Sequence, residues 1–96
     1  MEEKLYSMLG LARRANKLYI GRDSVVAAVR GGRVKLILLT RDASPRHRQE
    51  LSALGWQGET RELPCAMDDM AFHLGKKSCI FALEDENFSN AILKLI

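Results

Sequence analysis

Two short runs, VKLILL from Val34 to Leu39 and SCIFAL from Ser78 to Leu83, are apolar at nearly every position. A half-exposed strand alternates apolar and polar residues, and these runs do not. Each must be covered on both faces, as strands are in a mostly parallel sheet flanked by helices. Such strands cannot fold without helices to cover them.

Helical patterns stand on either side of both runs. From Glu3 to Ala15, Leu5, Met8, Leu9, Ala12 and Ala15 recur at helical spacing, with Glu2 and Glu3 before them and Arg13, Arg14 and Lys17 behind, where each charge complements the helix dipole. Leu18-Tyr19-Ile20 leaves room for one short strand before Gly21. A second helix follows, capped by Asp23 or Ser24, with Val25, Val26 and Val29 facing inward and Gly31-Gly32 as its stop. Ser44 and Pro45 read as the N-cap and first residue of a third helix, which runs to about Leu54 and ends at Gly55. Gly58 to Pro64 reads as a modest strand. A fourth helix starts near Asp68 and closes at Gly75, and a last one starts near Asn87.

Helix and strand therefore alternate from end to end, with short connections and no linker, repeat or low-complexity tract. This order predicts an α/β fold, a three-layer α/β/α sandwich with a mixed four-stranded sheet, filling residues 1–96 as one domain.

Charge is unevenly placed along this order. Residues 1–48 carry eleven Lys/Arg against four Asp/Glu, whereas residues 49–96 carry four against eight. A basic half suits phosphate contacts as well as it suits a solvated face. The most suggestive stretch is Leu9 to Gly32, in which Arg13, Arg14, Lys17 and Arg22 surround a glycine, Gly21, that leads straight into a helix. Exposed N–H groups and the positive end of the dipole meet there, an arrangement that favours an anion and, with those cations, a nucleic-acid backbone.

Other chemistries find little support. No Ser/His/Asp set, phosphate loop or dinucleotide fingerprint is present, so an enzyme is not expected. Cys65 and Cys79 lie fourteen residues apart, at neither redox nor zinc spacing, and read as small core residues. His47 and His73 have no partner at metal spacing, so neither metal nor cofactor is assigned. Met67, Met70, Phe72 and Trp56 read as packing residues, and the carboxylates of Asp68-Asp69 and Glu84-Asp85-Glu86 as helix-start acids. No apolar run approaches the ~18 residues of a membrane span, and the first residues lack a signal peptide's design. A cytoplasmic monomer that binds no membrane is the expectation.

The run LGLARRANKLYIGRDSVVAAVRGGRVKLILLTRDASP, followed by LGKKSCIFALED, resembles the kink-turn-binding ribosomal protein superfamily, the large-subunit proteins seven-Ae and thirty-e and their small bacterial paralogues. The likeness spans essentially the whole chain. It implies a compact α/β/α sandwich bound to structured RNA, ribosomal or other non-coding, that is bent at a bulge beside sheared G·A pairs, with ribosomal or ribonucleoprotein partners. Carried onto this chain, the resemblance puts Gly21, Arg22, Asp23 and Ser24 beside the G·A pairs. It puts Lys76, Lys77 and Ser78 over the flipped nucleotides. Lys17, in the basic cluster around Gly21, is read from its charge as a further RNA contact or as a complement to the end of the first helix. By charge and position alone, Arg41, Arg46 and Arg48 flank the start of the third helix and are expected to extend the basic patch.

The helix start departs from the pattern of RNA-binding members, roughly Gly-x-Asn-Glu-x-x-Lys, for which this chain has Gly21, Asp23, Ser24 and Ala27. A second reading follows from those departures: a protein-interaction module that kept the fold and lost specific RNA binding.

Overall fold

The computed structural model describes residues 2–96. Its elements alternate as α1 (Glu2–Arg14), β1 (Leu18–Ile20), α2 (Arg22–Arg30), β2 (Leu36–Leu39), α3 (Arg46–Ala53), β3 (Glu59–Glu62), α4 (Met67–Leu74), β4 (Ile80–Leu83) and α5 (Glu86–Leu93). The strands form one mixed sheet in the order β1-β4-β2-β3. β4 is antiparallel to both β1 and β2, whereas β2 and β3 pair in parallel.

The two apolar strands are neighbours, with Leu36 opposite Leu83 and Leu39 opposite Ile80. The mostly parallel surroundings expected for Val34–Leu39 are therefore corrected to a largely antiparallel sheet. Both strands are still buried at every position. Helix layers above and below bury a strand whichever way its neighbour runs.

Period-two alternation divides the strand side chains between two cores. On one face Leu36, Leu38, Phe81 and Leu83 pack with Leu5 and Leu9 of α1, Met70 of α4 and Ile92 of α5. On the other, Ile37, Leu39, Ile80 and Ala82 pack with Val25 of α2 and Leu51 of α3. Helix α2 buries Val25 and Ala28 completely, while Val26 and Val29 are only partly covered. The small Ala28, absent from the expected inward set, lets α2 lie close to the sheet.

Strand β3 closes one edge with the polar sequence Glu-Thr-Arg-Glu, mostly exposed. Charges on an edge discourage pairing with another chain. Helix ends use the acids foreseen for them: Asp69 Oδ2 accepts from Ala66 N–H at 2.9 Å before α4, and Asp85 Oδ2 accepts from Phe88 N–H at 2.9 Å in α5. Pro45 already has helical dihedrals, φ −56° and ψ −20°, and Ser44 Oγ accepts from Arg46 N–H at 3.2 Å. No helix among the described residues is long and apolar enough to cross a membrane.

Candidate functional site

Strands β1, β2 and β3 run the same way and β4 runs against them, which gathers the ends of the first three and the start of β4 at one end of the sheet. Helices α2, α3 and α4 each begin after a strand that finishes there. Three positive helix ends therefore share one side of the molecule.

At its centre is Gly21. Its dihedrals, φ +97° and ψ +156°, lie in a region that is essentially glycine-only. That conformation turns the chain from β1 directly into α2. The first bond across the helix start runs from Val25 N–H to Gly21 O at 3.0 Å. Gly21 supplies no side-chain cap, so the N–H groups of Arg22, Asp23 and Ser24 have no intrahelical partner. The expected cap by Asp23 or Ser24 is corrected by this geometry: glycine occupies the cap, and both polar side chains stand exposed on the first turn.

The loop after α4 reaches the same place through the backbone. Gly21 N–H donates to Ile80 O at 3.1 Å, and Thr40 N–H donates to Cys79 O at 3.0 Å. These bonds tie the start of β4 to the ends of β1 and β2. Gly75 ends α4 in a left-handed conformation, φ +76°, and Arg13 donates to the carbonyl of Leu74 just before it. Exposed Lys76 and Lys77 follow.

Not all the expected residues join this cluster as pictured. Ser78 is buried, its hydroxyl donating to Ile80 O at 2.9 Å and accepting from Ile80 N–H at 3.2 Å. It braces the strand start, with its hydroxyl turned to its own strand. Lys17 lies at the other end of β1. There its Nζ is 3.7 Å from Glu84 Oε2 and its carbonyl accepts from Glu84 N–H. A strand of three residues, roughly 10 Å, separates it from Gly21.

Arg22 is placed as expected but engaged. Its Nε is 2.5 Å from Glu50 Oε2 on α3, and its Nη1 is 3.1 Å from Asp23 Oδ1. The hydrogen bond and charge of Glu50, followed by those of Asp23, hold its guanidinium above its ordinary basicity. Arg46, Arg48 and Lys76 have no carboxylate within 4.0 Å among the described residues. These are the uncommitted cations at this end. Arg41 donates to Pro64 O at 3.2 Å.

One contact was not foreseen in the sequence. His47 Nε2 stands 3.0 Å from Cys79 Sγ, and burial pushes the Cys79 thiol above its usual range. The pair joins α3 to the loop that carries Lys76 and Lys77. The two residues are distant in sequence, and only the sheet order brings them together.

The arrangement as a whole is a rigid ledge of open N–H groups flanked by cations, suited to an extended, folded polyanion. The chain is similar to known proteins in sequence and in structure. The chain is 29% identical over 96 residues to the RNA-binding protein YlxQ of Bacillus subtilis (strain 168), with 95% of this chain and 93% of that protein covered. A protein of the same name from Enterococcus faecium is 26% identical over 98 residues, covering 98% and 92%. A structure of a protein with unknown function from Bacillus halodurans C superposes with a TM-score of 0.82 at 29% identity, covering 96% of this chain and 95% of that one. The Giardia lamblia 15.5kD RNA binding protein shares the fold, with a TM-score of 0.71 at 10% identity over 98% of this chain and 82% of its own. The family profile described as ribosomal protein L7Ae/L30e/S12e/Gadd45 matches residues 3–90, and the chain belongs to that family.

Proposed function

We propose that residues 1–96 act as a single, non-catalytic RNA-binding domain that holds sharply bent RNA of the kink-turn kind at the Gly21 end of its sheet. The observation that carries this reading is the Gly21 N–H to Ile80 O hydrogen bond. It fixes the open start of α2 beside the loop of Lys76 and Lys77. The two relatives that bear the name RNA-binding protein support the same reading.

Each part has a distinct task. The N–H groups of Arg22, Asp23 and Ser24 meet phosphate or base-edge acceptors, and the exposed Asp23 carboxylate accepts from a guanine amino edge. Ser24 adds a hydroxyl able to donate or accept. Lys76 and Lys77 hold phosphates of the strand that folds back, while Ser78 keeps their loop in place from beneath. Ala27, exposed one turn into α2, supplies no charge where the pattern of RNA-binding members has lysine. Arg46 and Arg48 stand at the same end of the sheet to offset that loss.

Straight RNA reaches only part of this ledge. Bent RNA reaches all of it, so the protein shifts the RNA population toward the kink without doing chemistry. The setting proposed for it is a cytoplasmic ribosomal or other non-coding ribonucleoprotein, with no membrane partner.

The test is a titration of the protein against a fluorescent kink-turn RNA and a control whose G·A pairs are replaced by Watson–Crick pairs. At least tenfold preference for the kinked RNA, ~1.4 kcal/mol, is expected. Weak and equal binding to both would overturn the reading and favour the protein-interaction alternative.

A further inference from the structure

Phe72, expected among the packing residues, is 84% exposed on the last turn of α4. A single exposed apolar residue is ordinary. Its neighbours make this one different. The His73 ring lies 5.1 Å from it, edge to face, and itself stacks on Tyr6 at 3.6 Å with the planes 13° apart. Tyr6 in turn packs against the core. Phe72 thus stands beside an aromatic stack anchored in the protein interior, with its own ring open to solvent.

The surrounding charges define what could lie on that ring. Asp68 is one turn before Phe72 on the same side of α4. Lys77 reaches back so that its Nζ is 4.0 Å from Asp68 Oδ1, with both side chains largely exposed. An exposed ion pair at that distance holds its lysine weakly, and a phosphate can take the place of the carboxylate. Lys76, four residues after Phe72, has no carboxylate within 4.0 Å among the described residues. An open π-face on the same side of α4 as the Asp68–Lys77 pair, with Lys76 in the loop that follows, matches one nucleotide unit, a base for the ring and a phosphate for the lysines. An apolar side chain of a protein partner would match the ring but leave the charged rim unanswered.

The geometry points to Phe72 as a stacking platform for an unpaired nucleotide just beyond the bent element, on the same strand whose phosphates Lys76 and Lys77 hold. This rests on the RNA-binding reading and adds to it a contact on the outer side of α4, beyond the Gly21 ledge. It extends the footprint into single-stranded RNA beside the stem. Stacking is tolerant of base identity, so the platform selects an unpaired base rather than a sequence.

The test uses the full chain and kinked RNA carrying a short unpaired adenosine extension, placed in turn on each strand end, and the same RNAs with abasic extensions. With the extension on one strand end, the wild type should bind the adenosine form about tenfold more tightly than the abasic form. Phe72→Ala should remove that advantage and leave abasic affinity unchanged, and Phe72→Trp should keep it. Thermal melting confirms that the variants fold, as expected for a side chain so exposed. A wild type with no adenosine preference at either end, or a Phe72→Ala variant that retains one, overturns the platform while leaving RNA binding intact. Failure of the wild type to bind any of these RNAs overturns the RNA reading, and the platform with it.

Discussion

Arg22, the first residue of α2, gives its Nε to Glu50 Oε2 of α3 at 2.5 Å. The cation closest to the open helix start is thus already paired with a carboxylate. A phosphate arriving there competes with Glu50. Glu50→Gln should release the guanidinium, raise affinity for kinked RNA about threefold and steepen the salt dependence. Arg22→Ala should then weaken binding more when combined with Glu50→Gln than when made in the wild type. Equal affinities for Glu50→Gln and wild type would mean that Arg22 faces no phosphate.

Gly21 is required by its backbone rather than by crowding. A Cβ built there meets nothing within 4 Å, yet φ is +97°. Gly21→Ala should therefore destabilise the fold by ~1–3 kcal/mol through backbone strain alone. Denaturant unfolding measures this directly. A change of only a few tenths would show that the turn relaxes freely.

Lys76 and Lys17 separate the two ends of the sheet. Lys76→Ala should weaken RNA binding and reduce the slope of log K against log salt by about 1, from a wild-type value near ~ −3 for about four phosphates. Lys17, paired with Glu84 at the far end, should leave that slope unchanged when replaced by alanine. The converse pattern would move the site to the other end.

Tyr6 makes stability depend on alkaline pH. Its hydroxyl is pushed up to about 12, first by burial, then by a hydrogen bond with Cys65 and by the charges of Cys65, Asp69 and Glu2. A raised value in the folded state favours the neutral phenol, so this stabilisation is full below about pH 10 and is lost as pH rises toward 12. Wild type should therefore lose thermal stability relative to Tyr6→Phe across that interval. A difference that stays constant from pH 9 to 12 would contradict the environment described for Tyr6.

Much of this fold was legible because its signals are local. Helix α1 announced itself by spacing and end charges, β2 and β4 by unbroken apolar runs, and the ends of α3 and α4 by Gly55 and Gly75. Sheet order was not legible, since nothing in Val34–Leu39 or Ser78–Leu83 states that they lie side by side in antiparallel register. The site divided along the same line. The turn from Gly21 straight into α2 could be read from the chain, whereas its lack of a side-chain cap could not, and the engagement of Arg22 by Glu50 and the His47–Cys79 contact depend on how α3 packs. The side-chain placement of Ser78 and Lys17 was not legible either. One turns inward to brace its own strand, and the other sits one strand length from Gly21. Phe72 misled, because an aromatic residue at helical spacing ordinarily faces the core.

The most direct test of the central claim is a backbone amide NMR titration of the protein with kink-turn RNA. The largest shift changes should fall on Gly21 to Ser24 and Gly75 to Lys77, with little change at Lys17, Arg33 and Glu84. Changes centred on Lys17 and Arg33 with a silent Gly21 turn would contradict it, and would place the RNA at the opposite end of the sheet.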